Sequence, residues 1–120
     1  MWKILKADGY PAKRELKFGK KHERLVANVL ANLKQYADTV SFSNPELAKR
    51  TLSFVHDEKK GLVAIDQRPP KGGVQLRLYV YPQHSSKFLH VIAFGDKSSQ
   101  GDDIRFCHRY IQEIENGKKG

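Results

Sequence analysis

Apolar and polar positions in the last third of the chain alternate with the period of two that a β-strand imposes. From Val74 to Tyr81, the residues Val74, Leu76, Leu78 and Val80 fall on one side, with Gln75, Arg77, Tyr79 and Tyr81 on the other. From Phe88 to Phe94, the apolar set is Leu89, Val91 and Ala93, and the opposite set is Phe88, His90, Ile92 and Phe94. The spacing predicts two strands joined by a hairpin through Tyr81-Pro82-Gln83-His84-Ser85-Ser86-Lys87. One face is then core, and the other is a polar-aromatic surface suited to single-stranded nucleic acid, since bases stack on rings while cations hold phosphates. The turn Gly95-Asp96-Lys97-Ser98-Ser99-Gln100 leads to a closing helix from about Gly101 or Asp102 to Gly117, with an apolar stripe of Ile104, Cys107, Ile111 and Ile114. Asp102 and Asp103 suit the positive end of its dipole.

The first half reads as a short strand from Trp2 to Ala7, broken by Gly9-Tyr10-Pro11 and followed by helix. Gly19 predicts a break or kink before a main helical segment in which Leu25, Val26, Val29, Leu30, Leu33 and Tyr36 recur at intervals of three and four. Ser43-Asn44-Pro45-Glu46 is a helix start, a polar cap followed by Pro at the first helical position, for a short helix to about Leu52. Phe54-Val55-His56 and Leu62 to Asp66 make a second hairpin, turning near Gly61. Arg68-Pro69-Pro70-Lys71-Gly72-Gly73 is a loop on the strength of its prolines and glycines. These elements predict one α+β domain over 1–120, with a mostly antiparallel sheet and the helices on one face.

Charge adds a partner class to this picture. Lys and Arg number 22 against 13 acids, a formal net charge of +9, which suits a phosphate-rich or otherwise acidic partner. Nine of these cations, against three acids, lie in the first 34 residues, where most read as a solvated helix face. The single cysteine, Cys107, rules out a disulfide framework and a Cys-based metal site, and points to a reducing, cytoplasmic setting. It reads as a small buried residue rather than a catalytic thiol. No apolar run approaches the roughly 20 residues of a membrane span, and the charged N-terminus does not suit a secretory signal. His22, His56, His84, His90 and His108 lack metal-ligand spacing, and no phosphate-binding loop, dinucleotide fingerprint or Ser elbow is present. No metal or cofactor is therefore expected.

What remains is chemistry from ordinary side chains. RNA is cleaved without metal when its 2′-hydroxyl attacks the adjacent phosphate, provided proton carriers and a cation serve the transition state. Arg77 is the candidate phosphate clamp, its fork binding two oxygens; the competing reading pairs it with Asp66 or another acid. His90 is the candidate proton carrier, against a partly buried structural role. Lys97 and Gln100 lie between a sheet edge and a helix start, where backbone N–H groups favour an anion. Tyr79 and Tyr81 are candidates for stacking bases or donating a proton, and equally good strand residues.

The order strand, helices, strands and final helix, with Arg77-Leu78-Tyr79-Val80-Tyr81-Pro82 and the run from Leu89 to Ile104, resembles the RelE/ParE toxin superfamily, within it the RelE- and HigB-like toxins. The resemblance covers residues 54 to 114, and the N-terminal half by element order. It implies the toxin of a type II toxin–antitoxin pair, a metal-independent endonuclease cutting mRNA on the ribosome and held inactive by a cognate antitoxin. Arg77 matches the family's phosphate-binding Arg and Lys97 the basic residue of its last turn, while Arg68 and Lys71 fall in a loop that often carries further cations. The last turn has one cation where many active members carry two or more. The site expected is a basic concave surface with Arg77, Lys97, His90 and Tyr79 in catalysis and Arg68, Lys71, Tyr81 and Gln100 binding RNA. Two other readings remain open on the same scaffold: a non-catalytic module binding RNA or an acidic partner, and a gyrase-directed ParE-type toxin.

Overall fold

The computed structural model describes residues 1–67 and 73–117. It is an α+β fold with strands β1 (Lys3–Lys6), β2 (Val55–Asp57), β3 (Val63–Asp66), β4 (Leu76–Gln83) and β5 (Phe88–Asp96). The helices are α1 (Ala12–Lys21), α2 (Glu23–Phe42), α3 (Pro45–Thr51) and α4 (Gln100–Glu115), and a 3-10 turn, Lys97–Ser99, precedes α4. The sheet order is β1-β5-β4-β3-β2. Only β1 runs parallel to its neighbour, β5; the other pairings are antiparallel.

Local signals place several boundaries. Pro45 opens α3, and the Asn44 side chain accepts from the Leu47 N–H at 2.8 Å, satisfying one of the donors a helix start leaves free. Helix α2 buries Val26, Val29, Leu33, Tyr36 and Val40, the three-and-four spacing of one helical face. Leu30 falls off that stripe and stays exposed. The expected break at Gly19 does not occur: Gly19 lies inside α1, and the chain leaves helical geometry at His22 (φ −137°, ψ 54°), between α1 and α2.

The core is in two parts, one on each face of the sheet. Leu76, Leu78 and Val80 pack with α2, whereas Tyr79 packs with Cys107, Tyr110, Ile111 and Ile114 of α4. Since neighbouring strand residues face opposite ways, α4 covers the face opposite the N-terminal helices. The helices therefore do not share one face, and the surface expected to lie open is closed over Tyr79 and His90, both buried.

The expected alternation of β5 also fails part-way, for an identifiable reason. Val80 pairs with Val91 but Tyr79 pairs with Ala93, so Ile92 is an extra residue, a β-bulge. Beyond it the phase inverts: Ile92 and Ala93 both pack under α4, and Phe94 turns to the α2 side. Among the described residues no helix is long and apolar enough to cross a membrane.

Candidate active site

Strand register builds the site. On β3, Asp66 stands directly across from Arg77 of β4, and His56 of β2 stands across from Ala64. His56 is thus the diagonal neighbour of Asp66 on one face, within side-chain reach. Its Nε2 lies 2.8 Å from Asp66 Oδ2. Three strands so deliver His56, Asp66 and Arg77 in a row.

These side chains line a cleft of about 820 Å³ with Asn32, Phe54, Glu58, Gln75 and Gln100. The surrounding amides fix its walls. Asn32 donates to the Asp66 carbonyl at 2.7 Å, tying α2 to the end of β3, and Gln75 donates to Asp66 Oδ2 at 2.9 Å. The buried Gln67 side chain donates to the Val74 carbonyl at 2.7 Å and accepts from the Leu76 N–H at 2.8 Å, pinning the strand ends together.

Two groups in the cleft carry unusual electrostatics. Burial raises the Asp66 carboxyl above its ordinary value, while His56 and then Arg77 oppose that shift. Arg77 is mostly buried; its Nη1 lies 3.8 Å from Glu58 Oε1, and its Nε has no hydrogen-bond partner in the structure. A distance of 3.8 Å is an ion pair but not a hydrogen bond. A buried donor without an acceptor is uncommon. Glu58 is held from behind, where His108 Nε2 lies 3.2 and 3.3 Å from the Glu58 and Lys59 carbonyls. Lys59, Lys60 and Gly61 follow with positive φ of 67°, 56° and 86°, and two consecutive non-glycine residues there are costly enough to require support from their surroundings.

Of the residues singled out from sequence, Arg77 and Gln100 meet in this cleft. Gln100 opens α4, so the helix N-terminus adjoins it. Tyr79 shares Arg77's face but is fully buried. Burial raises its hydroxyl far above the ordinary value, and that oxygen has no hydrogen-bond partner. His90 is buried with its Nε2 2.9 Å from Gln83 Oε1. Desolvation lowers its pKa, with Glu115 opposing. It pairs with Tyr81, four residues along β4 from Arg77, so His90 sits about 13 Å along the sheet from the Arg77 position at 3.3 Å per residue.

Tyr81 is half-buried, stacks on His90 and bonds Glu115; burial, with that bond and the Glu115 charge, pushes it up to about 12. Lys97 is exposed on the 3-10 turn and does not line the cleft. Arg68 and Lys71 lie outside the described residues.

His56 and Glu58 are the side chains that sequence reasoning missed; Asp66 entered it only as a competing partner for Arg77, and the structure sets Asp66 across from Arg77 and pairs Arg77 with Glu58. The signal was present in the second hairpin: folding it about its turn sets 56 against 64 and so places 56 and 66 on one face. Among the described residues no group of His, Cys, Asp and Glu is arranged to hold a metal ion. Comparison of the chain with known protein families, curated proteins and solved structures finds no match.

Proposed function

We propose that this protein is an endoribonuclease that cleaves RNA through the RNA's own 2′-hydroxyl, acting as the toxin of a toxin–antitoxin pair. The observation that carries the reading is the cleft in which Arg77 stands between Glu58 and the hydrogen-bonded His56–Asp66 pair. Transesterification of RNA needs one group to take a proton, one to give a proton and a cation on the phosphate, and this cleft holds one of each.

In the reaction, Arg77 binds the scissile phosphate through its guanidinium fork. The Glu58 carboxylate takes the proton of the 2′-hydroxyl as that oxygen attacks phosphorus. The His56 imidazolium, stabilised through Nε2–H by the Asp66 carboxylate, gives its Nδ1 proton to the departing 5′-oxygen. The P–O5′ bond breaks, leaving a 2′,3′-cyclic phosphate and a 5′-hydroxyl. Gln100 and the N-terminus of α4 favour the anion. Asp66 is a positioning residue, and Tyr79 packs behind Arg77 instead of stacking on bases.

The ribosome as the place of cleavage, and a cognate antitoxin as partner, rest on the family resemblance of residues 54 to 114. The test is controlled induction of the chain in a bacterial host, with new 5′ ends mapped on translated mRNAs beside Arg77→Ala and His56→Ala controls. Growth arrest with coding-region cuts that both controls abolish supports the reading. Normal growth with a folded product favours a non-catalytic binding module, and DNA damage with continuing translation favours a gyrase-directed toxin.

A further inference from the structure

Helix α1 takes no part in the cleft and contributes no buried residue to the core. It is held from its inner side. Arg14 Nη1 donates to the Phe94 carbonyl and to Asp103 Oδ1, each at 3.0 Å, and the Phe18 ring packs 5.7 Å from that of Phe94. Its outer side carries Lys13, Lys17, Lys20 and Lys21, all exposed. None of the four has an ion-pair partner among the described residues.

At 3.6 residues per turn these lysines fall within roughly 100° of arc and span about 12 Å of helix. Lys17 stands three or four residues from each of the other three, a spacing at which like charges destabilise a helix. Other lysines of the chain have acids at such spacing, Lys34 with Asp38 at 2.9 Å and Lys49 with Glu46 at 3.6 Å. In α1 the one acid, Glu15, is bonded instead to the Tyr10 hydroxyl. The helix thus bears a strip of uncompensated charge at a cost to its own stability.

We propose that this ridge of α1 is a docking surface for the phosphate backbone of double-helical RNA, separate from the cleft. The choice of RNA rests on the proposed function; the charge of the ridge does not. The ridge offers no exposed ring on which an unpaired base would stack, and Tyr10 and Phe18 are packed against the core. Recognition of a duplex through its backbone needs none. A protein partner would need apolar anchors at the centre of the contact, and Leu16 is the one large apolar side chain that α1 exposes.

The test is binding of the full chain to an RNA hairpin of about 16 base pairs, followed by fluorescence anisotropy between 50 and 200 mM salt. The variant K13Q/K17Q/K20Q/K21Q is expected to lower the slope of log K against log salt by about 3 and to weaken binding roughly 100-fold at 0.1 M salt. The matched variant K3Q/K34Q/K60Q/K87Q removes the same net charge and is expected to keep most of the affinity. Equal losses in both variants, or none in the first, would overturn the ridge. So would equal competition by poly-glutamate, which indicates an acidic protein, or equal affinity for the same hairpin made of DNA. Far-UV circular dichroism verifies that α1 remains helical in the variant. Arg77→Gln is expected to retain hairpin affinity while losing cleavage. If it retains cleavage and the ridge variant loses affinity, the cleft assignment fails and the ridge stands.

Discussion

Gly95→Ala tests how the end of β5 is joined to α4. Gly95 pairs with Arg77 across the sheet, and a Cβ there would lie 2.2 Å from Asp103 Oδ2, 2.3 Å from Ser99 Oγ and 3.2 Å from Arg14 Nη1. All three atoms are ends of side chains, so overlap alone is relieved by rotating them away. Rotation, however, breaks what holds them: Ser99 donates to Asp103 Oδ2 at 2.7 Å, and Arg14 donates to Asp103 Oδ1 at 3.0 Å. The Ser99 bond to a carboxylate contributes about 1.5–3 kcal/mol. The Arg14 pair adds at most about 1 kcal/mol, because Arg14 is 41% exposed and solvent screens it. The expected loss is about 3 kcal/mol, or a fall in Tm of about 12 °C for a chain of this size. Urea unfolding followed by circular dichroism measures it. In a Ser99→Ala/Asp103→Ala background the two nearest obstacles are gone and Arg14, freed from Asp103, can give way, so the same substitution should cost about 0.5 kcal/mol or less. A cost below 0.5 kcal/mol in the parent, or an equal cost in both backgrounds, refutes the account.

Three further outcomes follow from other parts of the structure. Gln67→Ala leaves the buried Leu76 N–H without its acceptor and should destabilise the fold by about 1–3 kcal/mol in the same urea assay. For His90, burial holds the folded pKa below the ordinary 6.5, so the unfolded chain binds more protons and stability falls as pH drops from about 6.5 toward the depressed value. Tm measured from pH 7.5 to 5 should show that limb in the parent and a flatter one in His90→Phe. His56→Ala should reduce the rate of RNA cleavage by about 10²–10⁴, with Tm within a few degrees of the parent; an unchanged cleavage rate removes His56 as the acid.

Features that depend on near neighbours were legible in the chain. The buried stripe of α2, the Asn44-Pro45 start of α3, the two hairpins and the polar turn before α4 each arise from spacings of a few residues, and such spacings act through local sterics and hydrogen bonding. The sequence also brought Arg77 and Gln100 into view, because a strand's alternation and a helix start are local facts. Tertiary structure alone decided which face of the sheet is covered. Arg77, Tyr79 and Tyr81 follow the alternation, yet α4 buries Tyr79 and leaves Arg77 at the cleft, since nothing within a strand states what packs against it. The bulge at Ile92 reversed the sides of Ala93 and Phe94, because one unpaired residue shifts a period of two by half a cycle. The hairpin by itself places His56 and Asp66 on one face, but their joining to Arg77 is a product of register, since only the pairing of β3 with β4 sets Arg77 beside them.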